Sequence, residues 1–193
     1  MRYWFVSQFG KSVVLIGMMG AGKSCVGRCL QQRTKLALVD TDDIVASKFG
    51  IPIAEIFSKY GEQRFRKAET EALRELAPTK QTIIVTGGGI VLREENVDFL
   101  KRLGVIVWLD CNEETLFERV SRATTRPLLQ GEKPRELFAQ MLRARLPLYA
   151  KIGDVRIDTS VLTDEEVAVA ILSKLERLSR NLRPRSAISA TAA

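Results

Sequence analysis

Gly17-Met18-Met19-Gly20-Ala21-Gly22-Lys23-Ser24 constrains this chain more than any other segment. It satisfies G-x-x-x-x-G-K-[ST], follows the apolar run Ser12–Gly17 directly, and opens a helical pattern at Lys23. Glycines let the backbone curl around an anion, and the N–H groups at a helix start supply positive potential. In that setting Lys23 reaches the β- and γ-phosphates of a nucleoside triphosphate, and Ser24 ligates Mg²⁺. A plain glycine-rich turn would need neither the lysine nor the hydroxyl right after its last glycine.

A strand feeding such a loop and helix belongs to an α/β sheet, and the chain continues the alternation. Ser12–Gly17, Leu36–Asp40, Thr82–Thr86, Val105–Leu109 and Val155–Ile157 read as strands. Lys23–Gln32, Asp42–Phe49, Pro52–Tyr60, Gln63–Ala77, Glu94–Leu103, Glu113–Arg122, Pro134–Ala150 and Thr163–Leu178 read as helices. Nearly continuous apolar strands such as VVLI, TIIV and VIVWL suit a parallel sheet shielded on both faces. Pro52 fits a first helical turn, and Thr163 before Asp164, Glu165 and Glu166 reads as an N-cap followed by acids. At 193 residues the chain is long enough for one compact domain and too short for two. The segment after Arg180, ending SAISATAA, reads as a disordered tail.

Composition removes whole chemistries. There is no histidine, so Ser-His-Asp, Cys-His and H-E-x-x-H mechanisms are excluded, and a proton acceptor must be a carboxylate, lysine, tyrosine or thiol. The three cysteines, Cys25, Cys29 and Cys111, form no C-x-x-C pair and are expected to be reduced core thiols, with Cys25 packing within its helix. Thirty basic residues against 23 acids give +7, which favours anionic partners. No aromatic-interleaved basic stripe accompanies that charge, so nucleic acid is the weaker option. No apolar run approaches the roughly 20 residues needed to cross a bilayer. Met1–Gly10 lacks the layout of a secretory signal. A soluble cytoplasmic protein is expected, with no membrane partner.

Several further segments carry acceptor-side chemistry. Leu36–Asp42 ends a strand with Asp40 and Asp42, spaced so that both face one way if the segment is extended. One acid would serve a metal and the other a substrate; alternatively, Asp42 caps the next helix. In Gly61-Glu62-Gln63-Arg64-Phe65-Arg66-Lys67-Ala68-Glu69, Arg66 and Glu69 share a helix face and can pair. Thr86-Gly87-Gly88-Gly89 exposes backbone N–H groups at a strand end, or is a flexible loop. Arg126-Pro127-Leu128-Leu129 lies in a Thr-, Gly- and Pro-containing stretch with the composition of a movable flap.

The ordered set GMMGAGKS, DTD, GEQRFRKAE, GGG, TTRPLL and RARLPLY resembles the shikimate kinases from about Ser12 to Leu178. That resemblance implies a three-layer αβα P-loop fold, with a five-stranded parallel sheet in the order 2-3-1-4-5 and a mobile lid at about 119–134. The kinase domain would span 12–178, between an extension at 1–11 and a tail at 179–193. It implies transfer of a phosphoryl group from ATP to the 3-hydroxyl of shikimate, in chorismate and aromatic amino acid biosynthesis. By motif match, Gly20, Ala21, Gly22, Lys23, Ser24 and Cys25 would bind ATP, and Ser24 and Asp40 would hold Mg²⁺. Asp42 would bind the shikimate hydroxyls and accept the proton. Arg66 and Arg145 would clamp the carboxylate, Gly88 and Gly89 would donate from the backbone, and Glu69 would position Arg66. Arg126 would be the lid arginine. Arg119 would stack on adenine, with Arg122 as the alternative, and the remaining adenine contacts would come from 158–161. A monomer is expected. The alternatives are another small-molecule kinase of the same fold, such as a gluconate kinase, and a nucleotide-binding module without catalysis.

Overall fold

The structure is a computed structural model, and it describes residues 10–76, 80–122 and 133–182. In chain order the elements are β1 (Ser12–Ile16), α1 (Lys23–Thr34), β2 (Ala37–Asp40), α2 (Thr41–Phe49) and α3 (Ile53–Glu75). There follow β3 (Thr82–Val85), a 3₁₀ turn (Ile90–Leu92), α4 (Glu94–Leu103) and β4 (Gly104–Asp110). The chain continues with α5 (Glu113–Ser121), α6 (Pro134–Ile152), β5 (Val155–Asp158) and α7 (Asp164–Leu182). The strands form one sheet in the order β2-β3-β1-β4-β5, every pair parallel. This is the expected five-stranded arrangement.

The continuous apolar strands lie where both faces are covered. Every residue of β1 and β3 is buried, as are the first six of β4. Helices α1 and α7 pack together on one face, and α3, α4 and α6 cover the other. Leu15, Ile16 and Ile84 are fully buried at the centre, each stabilising the fold by roughly 1.5–3 kcal/mol relative to exposure. The edge strand β5 instead alternates buried Val155 and Ile157 with exposed Arg156 and Asp158. A second, smaller core of Val45, Ile56, Phe65, Ala68 and Ala72 joins α2 to α3. That wedge presents Asp42 and Arg66 to the end of the sheet.

Helix starts follow local chemistry. Asn112 Oδ1 accepts from Thr115 N at 2.8 Å and caps α5. At α7, Thr163 Oγ1 accepts from Glu166 N at 3.3 Å while Glu166 Oε2 accepts from Thr163 N at 2.9 Å, a reciprocal capping box that agrees with the sequence. Other boundaries differ. The expected helices Pro52–Tyr60 and Gln63–Ala77 are one element, kinked at Gly61, whose φ of 76° and ψ of 168° leave the helical region. Pro52 is the N-cap residue of that helix, not part of its first turn. The 3₁₀ turn carries no period long enough to read from sequence. It is held by Asn96 Nδ2, which donates to the Ile90 carbonyl at 3.0 Å.

Candidate active site

The functional segments converge at the carboxyl ends of the strands, where open parallel sheets place their ligands. The loop after β1 turns on glycines in a backbone region that L side chains rarely adopt: Gly20 and Gly22 have φ of 86° and 88°. A Cβ on Gly20 would also stand 2.8 Å from the Leu116 carbonyl. Lys23 is buried, and its Nζ donates to the Gly17 and Met18 carbonyls at 2.8 and 2.9 Å. The ammonium is thus held by carbonyls of the loop itself.

At the end of β2, Asp40 does two things. Its Oδ2 accepts from Ser24 Oγ at 3.3 Å, and its Oδ1 accepts from Asp42 N at 3.0 Å, capping α2. Burial raises its pKa, opposed by those two hydrogen bonds. The cap is therefore Asp40, not Asp42. Helix α2 begins at Thr41, so Asp42 lies in a first turn, and the premise of two acids on an extended segment does not hold. Asp42 reaches the cleft by another route, through α2 packing on α3.

The three glycines after β3 join the parts of the site. None has a positive φ, so what they supply is room. A Cβ on Gly87 would stand 2.8 Å from both Asp42 Oδ1 and Glu69 Oε1, so the two carboxylates flank one point. One on Gly88 would stand 3.1 Å from Met19 N in the phosphate loop, and one on Gly89 would overlap the Arg66 guanidinium. Gly87 and Gly89 are buried, and this tight packing excludes the flexible-loop reading.

Arg66 is buried and donates from Nη1 to Glu69 Oε2 at 2.7 Å, the pair expected from sequence. Glu69 is fully buried, and its Oε1 has no hydrogen-bond partner among the described residues. Burial pushes its carboxyl up to about 7, and Asp42 pushes the same way, against the pull of Arg66 and Arg145. Arg145 is also buried; its guanidinium approaches two thioethers, Met18 Sδ at 3.9 Å and Met141 Sδ at 3.8 Å, and the Tyr149 hydroxyl. Among the described residues no carboxylate forms an ion pair with it. A buried guanidinium whose charge no carboxylate pairs is a site for an anion.

On the other side of the loop, a cleft of about 570 Å³ is lined by Gly20, Ser24, Cys25, Arg119, Leu162 and Thr163 among others. Arg119 donates to the Thr159 carbonyl at 3.0 Å and the Gly20 carbonyl at 3.4 Å. Arg122 is exposed and approaches only Glu118, at 3.9 Å, among the described residues, so Arg119 is the arginine on the cleft wall. Within 158–161, Thr159 is buried against Ala21 and Asp110 while Val161 is 91% exposed. Cys25 is exposed in this cleft, whereas Cys111 is buried in the core and the half-buried Cys29 packs against it, as composition suggested for those two. The helix-packing reading of Cys25 fails because its position on α1 faces the cleft. Arg126 lies outside the described residues. A hollow of about 700 Å³ near Lys11, Leu73 and Phe99 sits at the opposite sheet end and holds none of these groups.

Sequence reasoning passed over Tyr149, Met18 and the grip of Glu62 on Arg66. Tyr149 is fully buried, and its hydroxyl donates to the Gly88 carbonyl. Burial drives that phenol well above its ordinary range, so it stays a neutral donor. Its spacing of four from Arg145 on one helix was the available signal. Met18 meets Arg145 across 127 positions, for which no local signal exists.

Comparison with known proteins bears on the family and the fold. The family model described as shikimate kinase matches residues 19–176. The chain belongs to the shikimate kinase family. A shikimate kinase from Thermodesulfovibrio yellowstonii is 47% identical over 88% of this chain and 97% of its own length. One from Moorella thermoacetica is 41% identical over 87% and 98%. A solved shikimate kinase from Acinetobacter baumannii, in complex with shikimate, superposes with a TM-score of 0.83 at 36% identity, covering 90% of this chain and 96% of that one. A gluconokinase from Sinorhizobium meliloti shares the fold alone, with a TM-score of 0.62 at 23% identity. As a member of the family, the protein is an ATP-using phosphotransferase with an alcohol acceptor. No helix among the described residues is long and apolar enough to cross a membrane.

Proposed function

We propose that the cleft moves the γ-phosphoryl group of MgATP to the 3-hydroxyl of shikimate, giving shikimate 3-phosphate and ADP. The observation that carries this reading is the buried guanidinium of Arg145, which no carboxylate pairs among the described residues, in a site that also holds Arg66, Glu69 and Asp42. Such a pocket asks for a small carboxylate with hydroxyl groups. Arg66 and Arg145 grip the carboxylate, because paired guanidinium groups fix a planar anion in orientation as well as place. The Gly88 and Gly89 backbone donates to the same end.

Asp42 binds the ring hydroxyls and takes the proton of the attacking one, a carboxylate being one of the bases left to a chain without histidine. Lys23 and the N–H groups of the 17–24 loop hold the triphosphate in line with that hydroxyl, since phosphoryl transfer depends on positioning and charge neutralisation more than on covalent steps. Arg119 forms one wall of the adenine side, beside Cys25. Arg126, on the strength of the resemblance, closes over the phosphates and keeps water from the γ-phosphoryl group. Ser24 and Asp40 offer a hydroxyl and a carboxylate oxygen 3.3 Å apart at the loop mouth, hard donors that suit Mg²⁺. Bound there, the ion would neutralise charge on the phosphate oxygens. All these groups belong to one chain, so the reading needs only a monomer, acting within 12–178 in the cytoplasm.

The test is ADP release measured with shikimate, with gluconate and with neither. Shikimate alone should stimulate it. Asp42→Asn should lower kcat by at least about a hundredfold while MgATP still binds, because the base goes and the phosphate loop stays. Stimulation by gluconate instead, or near-normal turnover of the variant, would remove this assignment.

A further inference from the structure

The two arginines of the clamp are not equivalent. Arg145 has no carboxylate in ion-pair reach among the described residues, whereas Arg66 has two. A guanidinium carries five N–H donors. On Arg66, Nε and Nη2 both donate to Glu62 Oε1, at 3.1 and 2.9 Å, and Nη1 donates to Glu69 Oε2 at 2.7 Å. Two N–H groups are left, one on each terminal nitrogen, which is the number a carboxylate takes in a forked pair. The flat face of the guanidinium is covered as well. A Cβ on Gly89 would meet Nη1, Nη2 and Cζ together, so the glycine lies over the plane. The Phe65 ring is 5.3 Å from Cζ.

We propose that Glu62 is a positioning residue for the reaction: it fixes the plane of Arg66 so that the two remaining N–H groups meet the carboxylate of the acceptor substrate. The proposal rests on the shikimate reading above and deepens it. Arg145 supplies uncompensated charge and draws the anion in, and Arg66, its charge already balanced, supplies direction. Gly61 makes this possible. Its φ of 76° breaks the helix one residue before Glu62, so the helical stretch that follows sets Glu62 four residues ahead of Arg66 on the same face.

Two effects of removing Glu62 oppose each other, and this makes the sign of the result decisive. Taking a negative charge from an anion site strengthens attraction for the substrate. Releasing the guanidinium weakens binding, because a rotamer-rich side chain must then be ordered by the substrate itself. The Glu62 side chain is 52% exposed, so solvent screens its charge at a distance, while its two hydrogen bonds to Arg66 remain directional. Orientation should win.

Steady-state kinetics of the full chain test this with Glu62→Ala, Glu62→Gln and Glu62→Asp. Glu62→Ala should raise the shikimate KM about tenfold, with kcat and the ATP KM within about twofold of wild type. Glu62→Gln keeps an acceptor oxygen and should fall between the two. Glu62→Asp keeps a negative charge at the helix restart but draws the carboxylate back from Nε and Nη2. It should resemble Ala if Arg66 is the target, and wild type if the acid serves only the helix end. A shikimate KM that falls or stays level in Glu62→Ala overturns the proposal, as does an Asp variant with wild-type KM, or a parallel loss in kcat and ATP KM. A wild type that releases no ADP with shikimate takes down both this proposal and the reading beneath it. An active wild type with unmoved variants takes down the proposal alone.

Discussion

Gly89→Ala is the smallest change that reaches the centre of the site. The added methyl overlaps three atoms of the Arg66 guanidinium, against an ordinary contact distance of 3.4 Å or more. One of the two must move by about 1 Å, a displacement that by itself can cost on the order of a hundredfold in rate. Gly89 is buried after β3, next to Gly88, which stands against the phosphate loop, so the flexible partner is the arginine. Moving the guanidinium stretches hydrogen bonds of 2.7, 2.9 and 3.1 Å to Glu69 and Glu62. Losing one charged bond costs about 1.5–3 kcal/mol, which is roughly 10- to 100-fold in affinity. The shikimate KM should therefore rise by that factor in a coupled ADP-release assay. The ATP KM should hold within about twofold, since no clash reaches Lys23 or Ser24. Thermal melting should confirm an intact fold. A variant with wild-type shikimate KM would show that Arg66 is not held against Gly89, and the account of the clamp would fail.

Two further predictions concern the same pocket. The Glu69 carboxyl is raised to about 7 in the folded chain from an ordinary 4.5, so between those values the native state binds more protons than the unfolded one. Its contribution to stability is complete below about pH 4.5 and is lost as pH rises through 7, at up to about 1.4 kcal/mol per pH unit. Melting curves should show wild type losing stability over that window relative to Glu69→Gln; parallel pH profiles would mean the carboxyl is ionised throughout. Arg145→Lys should raise the shikimate KM about a hundredfold, because an ammonium cannot make the forked pair. An unchanged KM would move the carboxylate site elsewhere.

Much of this was legible along the chain because it depends on near neighbours. The 17–24 loop, the Thr163–Glu166 cap and the Arg66–Glu69 pair need only a few consecutive residues, and all stand as read. The helix start at Thr41 was misread because DTD offers two acids that can each cap, and only the packed position of Ser24 against Asp40 separates them. The kink at Gly61 was read as a break, because a lone glycine signals an interruption without saying that hydrogen bonding resumes around it. Cys25 was assigned to packing because residue type alone favours burial, while its place on α1 faces an open cleft. The double hydrogen bond from Arg66 to Glu62 is not legible in the sequence because an acid four residues before an arginine usually marks an ordinary surface pair.

The sequence by itself determined that this chain binds a triphosphate on an α/β sheet, that its base is not histidine, and through its spaced motifs which family it belongs to. Those are properties of short segments and of composition. Tertiary structure decided which groups meet: Gly88 against Met19, Gly87 between Asp42 and Glu69, and Arg145 against Met18 from 127 positions away. The reason is that an arginine becomes an anion site only when burial strips its water and withholds a carboxylate. Both conditions are set by what the fold packs around it rather than by its neighbours in the chain.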